Sequence, residues 1–140
     1  MSRLFTNAER TFADRHRVAR LATVDAAGAP HVIPICYAVV GECFYFVIDE
    51  KPKRTRTGLK RLRNIAANPT VSILIDHYED DWDQLWWVRL DGQARVVTRD
   101  AELERAFHLL AQRYAQYRST RPSGPVVAVS IDGMAGWSAS

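Results

Sequence analysis

The apolar segments of this chain are short and end at turn-forming residues, which favours a sheet built from many strands. Val18 to Val24 stops at Asp25-Ala26-Ala27-Gly28-Ala29-Pro30, and His31 to Val40 turns back at Val40-Gly41-Glu42 into Cys43-Phe44-Tyr45-Phe46-Val47-Ile48. Val71 to Asp76, Leu85 to Val97 and Val126 to Ile131 follow. Runs of this length, rich in β-branched and aromatic residues and bounded by turn formers, read as strands. Pro34 donates no ladder hydrogen bond and marks an edge position or bulge, and Gly92, midway along the longest run, marks a bulge or bend.

Helical signals are fewer. Thr6-Asn7-Ala8-Glu9 has the form of a capping box and predicts a short helix ending near His16. A second helix is expected over Gly58–Ala67, closed by Asn68-Pro69. For the third, Asp100 is the expected N-cap, with Leu103, Phe107, Leu110 and Tyr114 on one face. Three helices are too few to cover a parallel sheet. The expected fold is therefore an all-β core, α+β by content: a six-stranded antiparallel barrel with flanking helices. A length of 140 residues, 47% hydrophobic, suits one domain spanning 1–140.

No apolar run approaches the roughly 18–20 residues that span a bilayer, and Met1-Ser2-Arg3-Leu4-Phe5 lacks the apolar core of a signal peptide. The expectation is a cytoplasmic protein without a membrane role. Cys36 and Cys43 lack the paired spacing of a zinc site, and the four histidines show no ligand spacing, so no metal is expected. Nucleophile elbows, phosphate-binding Walker loops and dinucleotide-binding glycine turns are absent, and no catalytic residue is assigned.

Charge is uneven. Lys51, Lys53, Arg54, Arg56, Lys60, Arg61 and Arg63 form a basic segment, and Asp76, Glu79, Asp80, Asp81 and Asp83 an acidic loop. The basic segment enters the second helix directly after a strand, where Lys60 and Arg61 are expected in the first turn, within reach of a phosphate. A solvated basic face and a nucleic-acid surface are the other readings of the same charges. Trp86 and Trp87 are adjacent on a strand and must point to opposite faces. One enters the core and the other needs a partner, which suggests a dimer face or a ligand pocket.

Several short segments, in order and spacing, resemble one family over nearly the whole chain. They are Arg20-Leu21-Ala22-Thr23-Val24 with Gly28-Ala29-Pro30-His31-Val32-Ile33-Pro34, then Leu62-Arg63-Asn64-Ile65-Ala66-Ala67-Asn68-Pro69-Thr70-Val71-Ser72, and Val88-Arg89-Leu90-Asp91-Gly92-Gln93-Ala94. The chain resembles the pyridoxamine-phosphate-oxidase-like split-barrel flavoproteins. Arg113-Tyr114, Arg121-Pro122 and Gly136-Trp137-Ser138-Ala139 resemble the subgroup that uses the deazaflavin coenzyme F-420.

The resemblance implies an oxidoreductase that passes a hydride from F-420 to a conjugated small molecule. An FMN-dependent enzyme of the same fold and a flavin-binding protein without turnover are the alternatives. It favours a homodimer with a shared pocket and decides against nucleic acid. It places His31, Ile33, Pro34 and Ile35 along the coenzyme ring, and Arg61 where the family carries its phosphate-binding lysine, three residues before Asn64. Arginine at that position keeps the charge and adds a bidentate fork. Asp49, Lys53, Leu59 and Lys60 complete the expected coenzyme-binding set, with Trp82 covering the ring. Cations beyond those an FMN phosphate needs favour F-420, whose oligoglutamate tail is anionic.

Overall fold

The computed structural model describes residues 11, 13–48 and 55–139, with the side chains of residues 55–59 excepted. Seven strands form one sheet: β1 (Ala19–Val24), β2 (Pro30–Ile35), β3 (Ala38–Val40), β4 (Cys43–Val47), β5 (Thr70–His77), β6 (Trp86–Val96) and β7 (Val126–Ser138). Among the described residues the helices include α1 (Thr55–Ala67), α2 (Asp100–Arg113) and α3 (Ala115–Ser119), with a 3-10 turn at Trp82–Gln84. Residues 11 and 13–15 are helical, and the capping box expected at Thr6 lies outside the described residues.

Every pairing is antiparallel and the strand order is β2-β1-β5-β6-β7-β4-β3. The two outermost strands, β2 and β3, are thus consecutive in the chain, separated only by Cys36 and Tyr37. Three Cα steps reach at most roughly 11 Å, whereas the edges of a flat seven-stranded sheet stand about 29 Å apart. The sheet must curl until its edges nearly meet, and the gap between β2 and β3 is the split of the barrel.

This crossing also corrects the strand count from six to seven. The run expected as one strand from His31 to Val40 breaks at Cys36-Tyr37, because the chain there steps from one edge to the other. Pro34 does not break it. Paired with Arg20 on an outermost strand, it needs no second ladder bond.

Alternation sets the faces. Leu21, Ile73, Val88, Leu90, Phe44, Phe46, Val127 and Val129 fill the barrel, joined by Ile65. On the far side of β3, β4 and β7, α2 lays Ala106 and Leu110 over Tyr45, Val47, Val126 and Ala128. Strand β4 is therefore covered on both faces, which explains its unbroken apolar sequence. At Gly92 the β6–β7 register shifts, and a Cβ there would lie 2.3 Å from the Ser130 carbonyl oxygen. The predicted bend is thus a place where two backbones touch.

Three boundaries differ from expectation. Strand β7 continues to Ser138 rather than stopping at Ile131, because Trp86–Asp91 offers a partner strand along its whole length and pairing overrides the weak strand propensity of Gly133 and Gly136. Helix α1 starts at Thr55, not Gly58; a glycine inside a helix costs only about 1 kcal/mol and does not stop it. Asp100 is the first residue of α2, whose N-cap is Arg99 without a side-chain cap bond. Among the described residues no helix is long and apolar enough to cross a membrane.

Candidate functional site

The β1–β2 turn is organised by Asp25. Its Oδ1 accepts the backbone N–H groups of Ala27 and Ala29, both at 2.9 Å, while Gly28 takes φ 90°. Its Oδ2 lies 3.7 Å from His31 Nε2 and 3.9 Å from Lys60 Nζ. The Ala29 amide, helped by the Ala27 amide and the Lys60 amine, holds the Asp25 carboxyl below the ordinary carboxylate range.

Helix α1 reaches this turn because its buried Asn64 donates from Nδ2 to Thr23 Oγ1 of β1 at 3.3 Å, and because Ile65 enters the barrel. The two polar side chains are a matched pair in an apolar setting, where an unsatisfied amide or hydroxyl would be costly. One turn earlier on α1 stand Lys60, exposed, and Arg61, half-buried. They lie in the second turn of the helix, not the first, so the helix terminus does not add its partial charge at this spot.

Of the residues expected at a coenzyme site, His31 and Lys60 meet at Asp25, with Arg61 next along the helix. Ile35 is buried in the barrel core and Ile33 packs against it, so β2 offers solvent its backbone and the exposed side chains of Val32 and Pro34. Asp49 and Lys53 lie outside the described residues, as does the Leu59 side chain. Trp82 is 66% exposed, and its indole N–H points to the Tyr78 hydroxyl at 3.4 Å. It follows the His77 end of β5, whereas the Asp25 turn is level with the Thr70 end, so the length of β5, roughly 24 Å, separates them within one chain.

Two arrangements gave no sequence signal. Asp25 reads as an ordinary turn former, and only the folding of α1 onto β1 brings Lys60 to it. At the other end of the sheet, His16 and His77 meet edge-on with ring centroids 5.5 Å apart, beside Trp86. With Glu79, which pairs with His77, they line a cleft of about 340 Å³. Among the described residues no group of three or more His, Cys, Asp or Glu side chains is placed to hold a metal ion.

The Asp25 cluster fits the phosphate end of a coenzyme. Lys60 carries a full charge, Arg61 a fork of donors, and His31 Nε2 is shielded from solvent without a hydrogen-bond partner. A phosphate oxygen would satisfy that nitrogen in the tautomer that protonates it.

No curated protein matches the chain in sequence. Among solved structures, a conserved hypothetical protein from Mycobacterium tuberculosis is similar at 23% identity and a TM-score of 0.77, covering 96% of this chain and 86% of that one. A FAD-binding protein from Mesorhizobium loti gives 20% identity and a TM-score of 0.70, with 96% and 95% covered. HutZ, the heme storage protein from Vibrio cholerae, gives 21% and 0.71, with 98% and 95% covered. At these identities the likeness is one of fold. The sequence profile of pyridoxamine 5'-phosphate oxidase matches residues 5–138, and the chain belongs to that family.

Proposed function

We propose that this protein binds the deazaflavin coenzyme F-420 along β2, with its phosphate at His31, Lys60 and Arg61. In this reading it works as a homodimer and passes a hydride to an electron-poor conjugated small molecule. One observation carries the reading: His31, which the family pattern places along the coenzyme, and Lys60, next to the Arg61 that it assigns to the phosphate, converge on one turn, where a shielded imidazole nitrogen lacks a hydrogen-bond partner. The FAD-binding neighbour supports a flavin-type ligand.

When bound, the coenzyme supplies the hydride chemistry. The chain's own part is to neutralise the phosphate, to offer the backbone of an outermost strand to the ring, and to exclude water with the apolar barrel behind it. The preference for F-420 over FMN rests on Lys51, Lys53, Arg54 and Arg56, cations suited to an oligoglutamate tail. The dimer rests on the outer faces of β2, β5 and β7, which carry exposed Val32, Leu74 and Trp137.

Titration of the purified protein with F-420, FMN and heme, followed by tryptophan fluorescence, tests the reading. Tightest binding of F-420 is expected. A preference for FMN overturns the choice of coenzyme, and a preference for heme, named for the Vibrio cholerae neighbour, or no binding at all overturns the flavin reading.

A further inference from the structure

Asp25 puts a negative charge where a phosphate-binding site is expected to be wholly positive. Its two oxygens have separate tasks. Oδ1 is committed to the turn through Ala27 and Ala29, and Oδ2 faces His31 and Lys60. A residue needed only to shape the turn has no use for the second oxygen's charge, because asparagine offers the same acceptor. The Asp25 and Lys60 side chains are 23% and 46% exposed, so solvent screens their charges only in part.

The charge has a consequence for which phosphate can bind. Asp25 sets one negative charge directly against the positive charge of Lys60, and it repels each further negative charge on a ligand bound there. A phosphomonoester, such as the 5'-phosphate of FMN, carries nearly two negative charges at neutral pH because its second pKa lies at about 6. A phosphodiester, in which the phosphate continues into a further group, carries one. We infer that Asp25 is a specificity-determining residue that favours coenzymes bound through a phosphodiester over those ending in a phosphomonoester. The inference rests on the coenzyme reading above and adds the residue that discriminates.

The test compares the parent protein with Asp25→Asn at neutral pH, titrated with F-420, a phosphodiester, and FMN, a phosphomonoester. Riboflavin, which has no phosphate, is the control. The asparagine keeps the turn's acceptor and removes the charge, and circular dichroism and thermal melting report whether the fold is retained. Asp25→Ser is a second charge-free variant that can accept from the same amides. The preference for F-420 over FMN is expected to shrink about tenfold or more, the effect of one elementary charge a few ångströms away under screening close to that of bulk water, with riboflavin unchanged. An unchanged ratio in a folded variant, with F-420 still bound, overturns the role of Asp25 and leaves the coenzyme reading standing. Failure of the parent to bind either coenzyme overturns both.

Discussion

The Tyr114 hydroxyl accepts the Tyr37 backbone N–H at 2.9 Å, joining the crossing between the two barrel edges to the end of α2. The same hydroxyl reaches the carbonyls of Arg17 and Tyr37 at 2.8 and 3.1 Å. Arg113 stacks over the Tyr37 ring at 4.7 Å and donates to the carbonyls of Asp14 and His16. Tyr37 is fully buried and donates its own hydroxyl to the Ala13 carbonyl at 2.6 Å. The crossing between the two edges is thus anchored by side chains to the end of α2 and to residues 13–17. Arg113-Tyr114, a pair that marks the subgroup resemblance, has a structural task here.

Tyr114→Phe keeps the ring and leaves the Tyr37 amide without its acceptor. The expected cost is about 1–3 kcal/mol of unfolding free energy, read from urea denaturation. A loss below about 0.5 kcal/mol would mean that water or a neighbouring group replaces the hydroxyl.

Gly92→Ala places a methyl group against the Ser130 carbonyl and Val129. The φ of Gly92 is not positive, so the effect is steric, and backbone atoms cannot swing aside as a side chain does. The expected loss is about 3 kcal/mol, at the upper end of overpacking costs. A melting temperature equal to the parent's would show that the β6–β7 bulge has room to spread.

Glu102 accepts from the two terminal guanidinium nitrogens of Arg95, at 2.9 and 2.8 Å, and from the Tyr45 hydroxyl at 2.7 Å. These bonds, the Arg95 pair first, lower its pKa from 4.5 to about 2, and burial is the main reason the Tyr45 phenol is pushed up to about 12. The folded state therefore binds the Glu102 proton more weakly than the unfolded chain. The resulting stability is complete above the unfolded value and is lost as pH falls toward about 2. Glu102→Gln should cost about 1.5–3 kcal/mol at neutral pH. The gap should narrow steadily when denaturation is repeated in increasingly acid buffer, and a gap independent of pH would contradict the assignment.

The outer face of the sheet leads to a prediction about assembly. Trp87 lies opposite Trp137 across β6 and β7, and Trp137 is 48% exposed. In light scattering at micromolar concentration the protein is expected as a dimer that withstands moderate salt, since apolar contact is weakly screened. Trp137→Lys should shift it toward monomer. A parent protein that runs as a monomer would contradict the shared pocket.

Much of this fold is legible in the sequence, and the exceptions share a cause. The Cys43–Ile48 run shows a strand covered on both faces, Gly92 shows the bulge, and the paired tryptophans show two faces with different fates. Tyr37 gives no such sign, because its importance comes from the meeting of two sheet edges that local patterning cannot show. The length of β7 depends likewise on a partner strand far away in sequence. At the site, the charges of Lys60 and Arg61 stand out in the sequence, but Asp25 becomes their neighbour only through the docking of Asn64 on Thr23.

The central claim is that the Lys60–Arg61 step of α1 holds the coenzyme's phosphate. The direct measurement is the dissociation constant for F-420 of the Lys60→Ala/Arg61→Ala double variant, with circular dichroism and melting as controls of the fold. Each charge-assisted hydrogen bond contributes roughly 1.5–3 kcal/mol, so the loss of two should weaken binding about a hundredfold or more. Parental affinity in a variant with an unchanged spectrum would contradict the account and make the basic segment a solvated face.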